Sequence, residues 1–175
     1  MLTMINYQRF KYTLKSDLAA VGINHSLKAI LFNDMVKFYF YIRLLESFEK
    51  KSGLTYKFLN WRFGCVSKKL SYSIPIGCFK EGLKIPHYGT IVVNTKSKVG
   101  KNCQLNVGVV IGSDIKDKTK APVIGDNCYI GVGAKIIGNV ILGDNITIGA
   151  NAVVTKSFPH GNCTLVGIPA KEKLK

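Results

Sequence analysis

Three histidines and five cysteines are the side chains of this chain most able to move protons or attack a carbonyl near neutral pH. His87 has the most distinctive setting, KIPHYGTIVVN. An imidazole can take a proton from a hydroxyl and pass it on, because it changes charge in the physiological range. Pro86 has no N–H and Gly89 accepts positive φ, so both interrupt a strand pattern on either side of the imidazole. His25, beside the start of a helical stretch, reads as surface, and His160, after Pro159, as structural or exposed. Cys65, Cys78 and Cys163 have no metal-ligand spacing, and Cys103 and Cys128 fall on an inward position of a repeat, where a thiol acts as a small hydrophobe. All five are expected to be reduced, with no catalytic thiol and no metal.

The elements that must position His87 follow from a period of six. Val99, Leu105, Ile111, then Ile124, Ile130, Ile136, Leu142, Ile148 and Val154 are aliphatic. Helices repeat at 3.6 and strands at 2, so a sustained period of six indicates a parallel β-helix, each coil built from three hexads. Three residues after the aliphatics come Asn102, Gly108, Asn127, Gly133, Asn139, Asn145 and Asn151, types that tolerate the left-handed region, with Asp114 the exception. The next position is small or β-branched (Cys103, Val109, Cys128, Ala134, Val140, Ile146, Ala152), a second inward column. Counting back in sixes from Val99 gives Val93 and then His87. Strict register would bury the imidazole, whereas distortion by Pro86 and Gly89 would aim it outward, and both readings stay open.

The helical stripe Leu27, Ile30, Leu31, Met35, Phe38, Ile42, Leu45 predicts an amphipathic helix over 26–49, with a shorter one over 13–21 ended by Gly22. Phe38 to Phe63 is rich in aromatics, which suits packing on the first coil. A subunit contact or a peripheral membrane surface helped by Arg43, Lys50, Lys51 and Lys57 is the other use. The polar stretch 113–123 delays the hexad phase to 13 residues, as a loop extruded from a coil would, and such excursions often carry binding groups. The expected organisation is a helical region over 1–70, a β-helix over 71–158 and a tail over 159–175.

The 175 residues carry a formal charge of +15, split +8 over 1–75 and +7 over 76–175. A field so spread attracts polyanionic small molecules, and no nucleic-acid module accompanies it. No stretch is long and apolar enough for a membrane span, and the first residues lack a secretory pattern, so the expected location is cytoplasmic, with the inner membrane face as a second setting.

These hexads resemble the left-handed β-helix acyltransferases, and Ile74 to Ala170 resembles their serine acetyltransferase branch. The branch's His-x-x-Gly-Ile-Val-Val pattern is matched by His87, by Gly89–Thr90 shifted by one, and by Ile91–Val93. The stretch from Ile130 to Lys171 is similar almost end to end. The resemblance implies acetyl-CoA as co-substrate and a homotrimer with active sites in grooves between prisms. His87 would be the general base, and a backbone N–H in the turn Asn106–Gly108 would stabilise the oxyanion. It places the pantetheine arm near Gly112, Val132 and Ala150, where alanine is usual in place of Val132. Lys156 and Lys171 would meet the nucleotide phosphates.

Several positions depart from that branch. Pro86 stands where an acid precedes the histidine, Tyr72 where a second acid orients it, and Lys120–Ala121–Pro122 where an Arg-His pair precedes a proline. The N-terminal region is shorter than in typical members, and KEKLK lacks the terminal isoleucine that docks into cysteine synthase. Glu81 or Asp114 would then supply the orienting carboxylate, from the same or a neighbouring subunit. The expected activity is O-acetylation of a sugar hydroxyl in surface-polysaccharide synthesis. The alternatives are serine O-acetylation and a non-catalytic binding protein. A zinc-dependent carbonic anhydrase on the same fold would need a three-histidine cluster that the repeats do not supply.

Overall fold

The computed structural model describes residues 5–23 and 27–173. Its helices are α1 (Tyr7–Ala20), α2 (Leu27–Phe32), α3 (Asp34–Glu46) and α4 (Leu54–Leu70). The helix expected over 26–49 is therefore two helices, and the one expected at 13–21 starts at Tyr7. The break has a local cause. Asn33 is extended, with φ −105° and ψ 115°, and its side-chain oxygen accepts the N–H groups of Met35 and Val36, capping α3. Of the expected stripe, Phe38, Ile42 and Leu45 are buried, but Leu31, on α2, is 65% exposed. His25 and the side chains of Leu27 and Lys28 lie outside the described residues. No helix among the described residues is long and apolar enough to cross a membrane.

The prism follows with three faces. The first stacks β1 (Tyr72–Ser73), β2 (Ile91–Val93), β5 (Val110–Gly112), β8 (Lys135–Ile137) and β11 (Val153–Val154). The second stacks β3 (Lys98–Val99), β6 (Val123–Ile124) and β9 (Ile141–Leu142), extended by bridges to Phe79 and Phe158. The third stacks β4 (Gln104–Leu105), β7 (Tyr129–Ile130), β10 (Thr147–Ile148) and β12 (Thr164–Val166), with β13 (Lys171–Glu172) antiparallel at its end. Ile124 pairs in parallel with Leu142, and Ile130 with Ile148, so one coil takes three hexads. The extruded loop ends one residue early, because Val123 already belongs to β6. Beyond Val154 the six-residue spacing stops, yet Leu165 still pairs with Ile148, and β12 adds a rung within 159–175.

Both inward columns are buried, from Val99 to Val154 and from Cys103 to Ala152. Each enclosed Leu, Ile or Val contributes about 1.5–3 kcal/mol relative to an exposed one. Asn102, Asn127, Asn145 and Asn151 take φ of 53–57°, while at the Asn139 corner Gly138 takes the positive φ instead. Along the edge between the second and third faces the asparagine amides form a ladder. Asn102 donates to Asn127 (3.1 Å), Asn127 to Asn145 (3.2 Å) and Asn145 to Asn162 (2.9 Å).

A buried ion pair joins the helices to the first coil. Arg43 Nε donates to Asp17 Oδ2 at 2.6 Å, and its Nη atoms donate to Glu46 and to the carbonyls of Phe79 and Lys80. Asp17 Oδ1 in turn accepts the N–H groups of Gly82 and Leu83, at 2.8 and 2.9 Å. Burial pushes the Asp17 carboxyl upward against the pull of Arg43, but with two guanidinium and two backbone N–H groups aimed at it, the carboxylate satisfies every donor. Burial also works against charge on Arg43, and the Asp17 and Glu46 carboxylates overrule it. Arg43, expected on an exposed basic surface, is therefore part of the core. Part of the aromatic stretch packs on the first coil as expected, with Phe38 edge-on to Tyr72 at 5.0 Å and the Tyr39 hydroxyl accepting the Ile85 N–H at 2.9 Å, whereas Phe58 and Trp61 are exposed.

Candidate functional site

His87 lies at a corner between the third and first faces, and its side chain is exposed. The corner is longer here than in the next coil. Lys84 pairs with Gln104 and Val92 with Val110, so eight steps on the first coil face six on the second. The two extra residues move His87 out of the inward register that strict counting gave it. Ile85 and Ile91 take the core positions on either side, both fully buried.

The helical region fixes this corner. The Tyr72 hydroxyl donates to the His87 carbonyl at 2.9 Å, and burial pushes that phenol above its ordinary value, keeping it a neutral donor. The Gly89 N–H donates to Leu70 O at the end of α4, at 3.1 Å. Gly89 has φ +140°, and a Cβ there would meet Val107 Cγ1 at 2.9 Å, so both its backbone angle and its packing favour glycine. Tyr72, standing where an acid was expected, thus holds the main chain of His87. Among the described residues the imidazole ring itself makes no hydrogen bond or ion pair.

Successive corners of the same edge carry further expected residues. Leu105, Ile130 and Ile148 stack in register, so Val107, Val132 and Ala150, two residues after each, line up along the edge that starts at His87. Val132 is 52% exposed and Ala150 is exposed, leaving a shallow, small-residue track. Asn106 is built into the wall, its Nδ2 donating to Ile130 O at 2.8 Å and its backbone N–H to the same carbonyl. The Gly108 N–H donates to Thr90 O at 2.8 Å. In the turn expected to face an oxyanion, the Val107 N–H is thus the donor left without a bond among the described residues. Lys135 Nζ pins two corners by donating to the carbonyls of Gly108 and Gly133, at 2.8 and 2.6 Å. Sequence reasoning missed Lys135, because one lysine within a strand carries no pattern.

Other expected residues occupy different edges. Gly112 ends β5, and the loop beside it holds Asp114 and Lys120 on the edge between the first and second faces. Asp114 accepts the N–H groups of Lys116 and Asp117, which hold its carboxyl below the ordinary range. The Asp114 N–H donates to Lys120 O, and the Lys120 ammonium lies 3.6 Å from Asp117. Lys156 is exposed at the last corner of that edge, and Lys171 is exposed in β13. Glu81 lies on the third edge, paired with Lys101 at 3.0 Å. Within one chain, His87, Asn106, Val132 and Ala150 share an edge, whereas Gly112, Asp114, Lys120 and Lys156 share another and Glu81 stands apart from both.

Residues 121–156 match the family model described as bacterial transferase hexapeptide (six repeats). A serine acetyltransferase of Synechococcus elongatus is 37% identical over 92 residues, 52% of this chain and 37% of its own length. The chain thus spans less than half the length of that curated relative. Among solved structures, soybean serine acetyltransferase apoenzyme superposes with a TM-score of 0.77 at 23% identity, covering 95% of this chain and 69% of that one. A serine acetyltransferase in complex with CoA does so at 0.71 and 22%, covering 95% and 70%. The fold is accordingly the left-handed β-helix with N-terminal helices.

Proposed function

We propose that this chain is an acetyl-CoA-dependent O-acetyltransferase with His87 as general base. The observation that carries the proposal is the outward imidazole at the head of an edge that also presents Val132, Ala150 and the open Val107 N–H. His87 takes the proton of an acceptor hydroxyl as its oxygen attacks the thioester carbonyl, and the Val107 N–H faces the oxygen that gains charge. Collapse breaks the C–S bond, and the CoA thiolate leaves with the proton from His87. A placed base of this kind supplies roughly 10²–10⁴ in rate.

Most of the groups that the resemblance assigns to acetyl-CoA and acceptor lie on two edges, with Lys171 on β13 and Glu81 apart from both. A homotrimer would bring the loop edge of one prism to the His87 edge of the next, completing a groove with Gly112, Asp114, Lys120 and Lys156 from a neighbour. Light scattering on the purified chain tests this, and a monomer at the assay concentration contradicts it. The reaction belongs in the cytoplasm, where acetyl-CoA is available.

The names of the relatives favour L-serine as acceptor over the polysaccharide hydroxyl expected from sequence. The saccharide reading keeps one specific support, the absence of any ion pair to the His87 ring among the described residues, with Tyr72 where an acid would orient it. Thiol release from acetyl-CoA, measured for wild type and His87→Ala with L-serine and then a saccharide panel, separates the two. Release with serine that the variant loses selects the first acceptor, and release with a saccharide alone selects the second. Activity equal in wild type and His87→Ala refutes the assignment of the base. Should the acceptor be lipid-linked, exposed Leu54, Phe58 and Trp61 on α4, with Lys57, form the surface that would meet the bilayer. Failure to float with anionic vesicles at low salt removes that membrane role.

A further inference from the structure

The C-terminal end of the prism gathers three different metal-ligating side chains. His160 and Cys163 stand three residues apart in the last corner between the second and third faces. Glu172 returns to them on β13, which pairs antiparallel with β12 in the register Leu165 to Glu172. The imidazole nitrogen, the thiol sulfur and a carboxylate oxygen all lie within 4.8 Å of one another, with His160 Nε2 3.2 Å from Glu172 Oε2.

A surface ion pair accounts for His160 and Glu172 and the inward column for Cys163, but neither accounts for all three donor atoms converging on one point. Cys163 is the end of the column Cys103, Cys128, Ile146, aligned by the pairings of Gln104, Tyr129, Thr147 and Thr164. It is only 9% exposed, whereas His160 and Glu172 are exposed. The backbone is already fixed around the cluster. The Asn162 N–H donates to Asp144 O at 2.8 Å, the Thr147 N–H to Cys163 O at 2.9 Å and the Lys173 N–H to Thr164 O at 2.7 Å.

Tetrahedral zinc with bond lengths of about 2.0–2.3 Å sets nitrogen and oxygen roughly 3.4 Å apart and nitrogen and sulfur roughly 3.6 Å apart. The His160–Glu172 separation is close to that already, and the thiol needs to move by at most roughly 1 Å. One imidazole, one thiol and one carboxylate suit Zn²⁺ and its borderline-soft neighbours, and not the all-oxygen preference of Ca²⁺ or Mg²⁺.

We propose that His160 Nε2, Cys163 Sγ and a Glu172 carboxylate oxygen bind one divalent transition metal of the zinc class, the fourth position being left to water. Burial and the nearby Glu172 keep the thiol protonated in the free protein. Binding therefore expels the Cys163 proton to solvent as the metal–sulfur bond forms. The ion ties β13 to the last coil and closes the open end of the prism.

The test uses the full chain, stripped with a chelator, dialysed and titrated with Zn²⁺ against a chromophoric chelator. One ion per chain with a micromolar or tighter Kd is expected, together with a rise in Tm. His160→Ala and Cys163→Ser should each weaken binding at least about tenfold, and Cys65→Ser, which removes the exposed thiol, should not. Co²⁺ in place of Zn²⁺ should give a sulfur-to-metal charge-transfer band that Cys163→Ser abolishes. If Cys163→Ser does not fold, His160→Ala and Glu172→Gln, both at exposed positions, carry the comparison. No stoichiometric binding by wild type, binding unchanged in His160→Ala, or loss of binding in Cys65→Ser overturns the proposal.

Discussion

Asp17→Asn should loosen the joint between the helices and the prism. Asparagine can keep an oxygen toward the Gly82 and Leu83 N–H groups, but it sets an amide donor against the Arg43 guanidinium, which now lies 2.6 Å from Oδ2. Removing one partner of a buried ion pair costs about 3–5 kcal/mol. Arg43 would retain Glu46 and the carbonyls of Phe79 and Lys80, so the low end, about 3 kcal/mol, applies. At about 2–4 °C per kcal/mol for a chain of this size, Tm should fall by roughly 6–12 °C. Circular-dichroism melts of wild type, Asp17→Asn, Arg43→Met and the double variant measure it. The two sites should couple by about 1–3 kcal/mol, the double variant losing less than the sum of the singles. A drop below about 2 °C, or additive single effects, would refute the placement of this charge pair in the core.

Other perturbations read other parts of the molecule. Asn127→Ala should cost about 2–3 kcal/mol, from the left-handed backbone at φ 57° and two lost ladder bonds, and Asn127→Gly less, since glycine meets only the second cost. Melts giving the opposite order contradict the corner assignment. Val132→Trp, at a half-exposed corner of the His87 edge, should raise KM for acetyl-CoA at least about tenfold while leaving Tm within a degree or two. An unchanged KM removes Val132 from the pantetheine track. The Asp114 carboxyl is held below its ordinary 3.8 by backbone N–H groups, so its contribution to loop order is complete above that value and lost as pH falls through the lower, folded one. The amide shifts of Lys116 and Asp117 should therefore titrate below 3.8, and a midpoint at or above it counts against those bonds.

The prism was readable because each inward position repeats, so Ile111, Ile136 and Val154 announce one another at fixed distances. The helices were harder to read. In α4 the buried side chains Phe63, Val66, Ser67 and Leu70 crowd the second half while Leu54, Phe58 and Trp61 face outward, so no continuous apolar stripe marks it. Asn33 lies inside the run that the apolar stripe spans, and its role as a cap depends on a backbone angle that composition does not state. Arg43 and Asp17 resemble solvated charges until the fold closes around both. At the candidate site, His87 was identifiable by its neighbours, but its outward direction depended on a two-residue surplus visible only once Lys84 and Val92 were paired with the next coil. The cluster of His160, Cys163 and Glu172 has no signature in sequence, because Glu172 joins the other two only through an antiparallel return.

The extruded segment leaves the first face after Gly112 and rejoins the second at Val123, while the strands on either side keep register with the coil below, Val110 with Lys135 and Val123 with Ile141. Its length is therefore decoupled from the stacking of the prism. Doubling a loop costs only about 0.6 kcal/mol in closure entropy. If the proposed activity holds, this corner is a port through which acceptor preference could be rewritten by insertion or exchange of sequence, without retuning a single residue of the hydrophobic columns.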